Sequence, residues 1–187
     1  MILTLSKEEM LKRCRLQAGL EPLRADCDLT VTDGIDSDAF LEQKIRQRYL
    51  ELLYSAPEHL VGSKDVASEG ECSLIDGTLD GGVRVKLPAK VRQVFKLRLR
   101  GWNVGTTVKA VDEIEAVINA QRNAYTAATP WTPVAVRVAD DELLAWPATT
   151  LLCKAEEVRA AVDPGGDVYV LDEAAFADFF ERLETRV

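Results

Sequence analysis

The spacing of apolar residues changes period twice along this chain, and that restricts the folds open to it. Near the start the period is helical. Ser6 and Glu9 form a capping box, and Met10, Leu11, Cys14 and Ala18 follow at helical spacing, so a helix is expected over 6–19, ended by Gly19 and Pro22. A second helix is expected from Asp36 or Ser37 to Ala56, with Leu41, Ile45, Tyr49, Leu52 and Leu53 on one face and Pro57 as its stop. After residue 70 the period falls to two. Phe95, Leu97 and Leu99 alternate with Lys96, Arg98 and Arg100, the pattern of a strand with one buried and one wet face. Turn dipeptides Asp76-Gly77 and Asp80-Gly81 lie just before it.

The helical period returns over 110–122 through Val111, Ile114, Val117 and Ile118. Residues 133–138, the Asp140-Asp141 turn and 142–146 read as a β-hairpin, and a further strand is expected over 149–155. Asp163-Pro164-Gly165-Gly166 is a turn. Asp172 caps a last helix carrying Phe176, Phe179, Phe180 and Leu183 on one face. The expected class is α+β: an N-terminal helical pair or bundle with an inserted antiparallel β region and a C-terminal helix. The regions are 1–70, helical; 71–160, β-rich with one inserted helix; and 161–187, turn and helix, together forming one compact domain.

Chemistry is harder to find. His59 is the only histidine and sits just after Pro57, with Glu58 beside it, so a surface or capping role is expected. Cys14, Cys27, Cys72 and Cys153 are scattered without zinc-site spacing and are expected as reduced, mostly buried thiols. The acidic connection Asp28 to Asp38 fails as a calcium loop. With Gly34 at the sixth position, Leu29, Val31 and Phe40 would occupy ligand positions. No phosphate-loop motif follows a strand. No enzyme activity, cofactor or metal is therefore expected. The apolar runs fall short of a membrane span. The start, MILTLSKEEMLKRC, turns charged too early for a secretory signal, so synthesis in a cytosol is expected.

The most unusual stretch is GGVRVKLPAKVRQVFKLRLRGWN, residues 81–103. Arg84, Lys86, Lys90, Arg92, Lys96, Arg98 and Arg100 run without an intervening acid, in a chain of net charge −8. Three readings compete. The charges form the solvent side of a half-buried strand, or a surface for phosphates in a small cytosolic nucleic-acid-binding or regulatory module, or a positive face for a partner protein. Acids dominate from Asp140 onward. A subunit with opposed charge segments is suited to meet a copy of itself head to tail, unless the two signs neutralise each other within one subunit.

Two sequence blocks carry a resemblance. The first is Leu87-Pro88, Arg92, and an apolar-alternating strand closed by Gly101-Trp102. The second is Thr132-Pro133-Val134-Ala135-Val136, the Asp140-Asp141 turn, and Leu143-Leu144-Ala145-Trp146-Pro147. Together, over about 83–155, they resemble the head-to-tail adaptor, or connector, proteins of tailed bacteriophages, including the tail accessory factors of short-tailed phages. The resemblance implies a non-enzymatic protein of the virion, made in the host cytoplasm, that forms a ring, commonly of twelve copies. Its implied partners are further copies of itself, the portal protein and the tail or nozzle proteins, with DNA passing through the lumen without sequence-specific binding. Candidate interface residues are Arg84, Lys86, Arg92, Lys96, Arg98 and Arg100 on the basic stretch and Phe176, Phe179, Phe180 and Leu183 on the last helix. For the aromatic set, packing on the subunit's own sheet is the competing expectation.

Overall fold

A computed structural model describes residues 1–17, 37–67, 73–75, 81–148 and 154–184. The fold is mixed α+β. Its contacts divide the chain into two compact units: Met1–Gly62 with Pro164–Val187, and Ser63–Asp163. The middle of the chain is thus inserted into a unit drawn from both ends.

The first unit opens with a strand. Strand β1 (Ile2–Ser6) pairs antiparallel with β10 (Val168–Asp172), Ile2 opposite Asp172 and Ser6 opposite Val168. Helix α1 (Lys7–Gln17) starts at the expected capping box. The Ser6 N–H donates to Glu9 Oε2 at 3.0 Å and the Glu9 N–H to Ser6 Oγ at 3.3 Å. Helix α2 (Ser37–Ser55) buries Ile45, Tyr49 and Leu53, the i, i+4, i+8 row of the expected face, and Arg15 of α1 pairs with its Asp38. A short helix α3 (Glu58–Val61) follows Pro57 and ends at Gly62, whose φ of 70° suits a residue without Cβ. Helix α5 (Glu173–Glu184) is capped by Asp172, whose Oδ1 accepts the Ala174 N–H at 3.0 Å. The unit's core holds Leu5, Met10, Cys14, Leu171 and Phe179, and Tyr49 meets Tyr169 edge to face at 5.0 Å.

The second unit is built from two sheets. One has the order β2-β9-β5 (Lys64–Asp65, Ala155–Val162, Val91–Leu99). The other has the order β3-β4-β8-β7-β6 (Ser73–Ile75, Val83–Lys86, Glu142–Trp146, Val134–Ala139, Val108–Lys109). All pairings are antiparallel except β6 with β7. Thr106, just before β6, exchanges both backbone hydrogen bonds with Leu97 of β5, which joins the sheets at one corner. The hairpin β7–β8 and its Asp140-Asp141 turn appear where expected.

Alternation along β7 and β8 feeds two cores at once. Ala135, Leu143 and Ala145 face inward onto Leu97, Leu99 and Val158 of the other sheet. Val136, Leu144 and Trp146 face outward under Val117 of α4 (Ile114–Gln121), which a short 3₁₀ turn, Val111–Glu113, precedes. A strand covered on both faces reads as a continuous apolar run, as Leu143 to Trp146 does. Close packing also explains Gly82: a Cβ there would stand 2.5 Å from Trp146 Nε1.

One expectation is corrected. Phe95 is only half-buried, and Val94 is buried in its place. Register shifts between Val91 and Gln93 and between Val94 and Lys96 break the strict alternation, so the phase inferred from Leu97 and Leu99 does not extend back to Phe95. The strand expected over 149–155 is described only from Ala155, where β9 begins and runs on to Val162; 149–153 lie outside the described residues. The acidic connection 28–36 and Cys27, Cys72 and Cys153 also lie outside them.

Candidate interaction surfaces

Arg84, Arg92, Lys96 and Arg98 of the basic stretch 81–103 carry ion pairs within the second unit. Arg92 on β5 reaches Asp163 at 3.1 Å, Lys96 reaches Glu157 at 3.0 Å, Arg98 reaches Glu156 at 3.5 Å, and Arg84 on β4 reaches Glu142 at 3.1 Å. Strand pairing explains the choice. Beta-9 supplies a run of acids directly beside the basic face of β5, with Arg98 opposite Glu157 in register. Lys96 lies opposite Arg159, a like-charge pair that would repel. Glu157 lies between them, bonding Lys96 Nζ through Oε2 and Arg159 Nε at 3.1 Å through Oε1. The Lys96 stem crosses Gly105, where a Cβ would come within 2.5 Å of Cε. Lys86 faces solvent with Glu142 as its cross-strand neighbour, and Arg100 is exposed just beyond β5.

Each exposed pair of this kind contributes only about 0–1 kcal/mol. Their effect on binding is larger. A phosphate contacting Lys96 or Arg98 has to compete with a carboxylate already in place, so the stretch is a poorer anion surface than its sequence suggests. Asp163 is different: it is the one buried charged side chain among the described residues, at 5% exposure.

Two of the candidates on α5 do not lie at a surface. Phe176 and Phe179 are buried at 2% and 0% exposure, so they pack within the first unit and are not available as contact residues. Their amphipathic spacing serves the core. The side chains of Phe180 and Leu183 lie outside what the structure describes. His59 is exposed in α3. Cys14 is buried, and burial pushes its thiol up to about 12, which leaves it an unreactive apolar group. Among the described residues, no group of His, Cys, Asp and Glu is placed to hold a metal, and no helix is long and apolar enough to cross a membrane.

The two sequence blocks behind the phage resemblance meet in the second unit. The Leu87 N–H donates to the Asp141 carbonyl at 2.7 Å, and Trp102 Nε1 donates to the Pro147 carbonyl at 2.9 Å. Arg137 reaches the Arg92 carbonyl from the hairpin. Trp102 is buried and is not available to stack on a base.

Sequence reasoning missed one surface. After α4 the chain makes a tight turn through Thr129-Pro130-Trp131-Thr132. The Thr132 N–H donates to the Thr129 carbonyl at 3.0 Å, and the two threonine hydroxyls lie 2.8 Å apart. Threonine side chains bonding nearby backbone in this way stabilise a turn. The turn holds Trp131 at 69% exposure, while Tyr125, whose N–H is bonded by Asn123 Oδ1, is 99% exposed. The Asn103 N–H donates to the Pro130 carbonyl at 2.9 Å, bringing Val104, 40% exposed, alongside. The available signal was two aromatic residues among turn formers, in a segment with neither helical nor strand period.

No protein-family model matches this chain, and no curated protein matches it.

Proposed function

We propose that this chain is the structural subunit of a head–tail connector ring of a tailed bacteriophage, bridging portal and tail around the channel through which DNA leaves. The observation that carries the reading is topological. A β unit, Ser63–Asp163, is inserted into a unit formed from the two chain ends and holding α1, α2 and α5. That is the layout which the resemblance implies for a helical bundle with an inserted β region. The resembling residues are knit together inside the insert by the Leu87–Asp141 and Trp102–Pro147 hydrogen bonds. An acidic subunit whose basic strand is occupied by its own carboxylates also suits a channel wall along which DNA slides without being held. On this reading the protein belongs to the virion after synthesis in the host cytoplasm, and it acts without catalysis.

The test is electron microscopy of the purified protein, alone and mixed with candidate portal rings. Closed annular particles, or an added layer on the portal, are expected. Particles of single-subunit size that leave every portal unchanged would overturn the reading.

A further inference from the structure

Strands β6 and β7 are parallel neighbours, so the chain that joins them has to leave the sheet and return across one of its faces. That crossover is 110–132: the 3₁₀ turn, α4 and the turn around Trp131. It lies over the outer stripe of β7 and β8, where Val136, Leu144 and Trp146 are all buried. Its own share of the packing is small. Across 110–132, all within the described residues, Val117 is the only buried side chain, with Ile114, Ile118 and Ala128 partly buried beside it. Val111, Tyr125 and Trp131 of the same segment are exposed.

Several of the segment's hydrogen bonds close within it. Gln121 Nε2 donates to the Val117 carbonyl at 3.2 Å, and Gln121 Oε1 accepts the Ala128 N–H at 2.8 Å. Thr126 Oγ1 donates to the Ala120 carbonyl at 2.8 Å. Bonds of this kind travel with the segment and do not fasten it to the sheet. No side chain caps the 3₁₀ turn or α4, and a helix of eight residues is too short to persist without its packing. The sheet beneath is held separately. Beta-8 lies between β4 and β7, and Ala135, Leu143 and Ala145 on the inner faces pack into the larger core.

We infer that 110–132 is a strap that opens as one piece while the sheets of the second unit stay folded, uncovering Val136, Leu144 and Trp146. Segments with few buried apolar contacts occupy the low end of the local-stability range, and here the contacts centre on one buried valine. The closed strap hides an apolar stripe that the open one presents. This device stands apart from the connector reading and does not need it.

Native-state hydrogen exchange of the full chain, at low denaturant concentrations, tests the strap. Amides of α4 are expected to exchange at least about a hundredfold faster than those of β8 and β9, with little dependence on denaturant. The second arm is Val158→Ala, which truncates a buried side chain of the larger core, away from the strap. It weakens the closed and the strap-open forms alike, so exchange in β8 and β9 is expected to speed up at least about tenfold while α4 keeps its wild-type rate. Amides of α4 that match β8 in rate and denaturant dependence would overturn the inference. So would α4 amides that accelerate together with β8 and β9 in Val158→Ala, since the segment would then open only when the whole unit unfolds.

Discussion

Replacing Asp163 by Asn keeps the shape of a buried side chain and removes its charge. In the wild type, Asp163 Oδ2 accepts from Arg92 Nη2 at 3.1 Å, and the carboxylate side chain is only 6% exposed against 29% for Arg92. Breaking a fully buried ion pair costs about 3–5 kcal/mol. Arg92 keeps partial access to water, which lowers the cost towards that of one charged hydrogen bond, about 1.5–3 kcal/mol. A loss of about 2 kcal/mol is therefore expected, equivalent to a fall in Tm of about 4–8 °C for a chain of this length. The backbone bond from the Asp163 N–H to the Lys90 carbonyl is independent of the side chain and survives. Denaturant unfolding reads the change as a lower midpoint at constant slope. The decisive comparison is the same substitution in an Arg92→Met background. There the carboxylate has lost this partner, and Asp163→Asn is expected to cost little or to stabilise. An equal cost in both backgrounds would show that the pair is not what Asp163 contributes, and the reasoning would fail.

Phe179→Ser should unfold the first unit, since emptying a fully buried aromatic site costs about 3–5 kcal/mol; an unaltered melt would show that the side chain is not in the core. Gly82→Ala forces a methyl into the Trp146 indole and should cost about 1–3 kcal/mol, with altered tryptophan emission; unchanged stability and emission would contradict the packing. Hydrogen bonds from the Ser6 backbone and side chain hold the Glu9 carboxyl below its ordinary value of 4.5. Its contribution to stability is therefore present above that value and lost as pH falls through the lower, folded one, so Glu9→Gln should flatten this part of the pH–stability curve. An identical acid limb in the variant would refute the cap.

What the sequence revealed was whatever local chemistry decides. The Ser6–Glu9 box, the 45-49-53 row of α2, and the hairpin about Asp140-Asp141 depend on residues a few positions apart. Beta-9 was hidden because Ala-Glu-Glu-Val-Arg-Ala-Ala-Val has the composition of a helix; pairing with β5 on one side and β2 on the other overrides that preference. Beta-1 was hidden because its partner, β10, lies at the other end of the chain. The register shifts in β5 leave no compositional mark, and so the alternation pointed to a buried Phe95 where Val94 is buried instead. Internal pairing of the basic stretch is an alternative that the sequence alone leaves open. Lys96 and Glu157 are 61 residues apart, and only the β5–β9 register brings them together.

The central claim is that copies of this chain join into a closed assembly. The most direct test is the mass in solution, by light scattering, over a range of concentrations and with candidate portal protein. The account expects one large species at a fixed multiple of 20.7 kDa, formed alone or on the portal. A mass of 20.7 kDa at every concentration, unchanged by any portal, would contradict it.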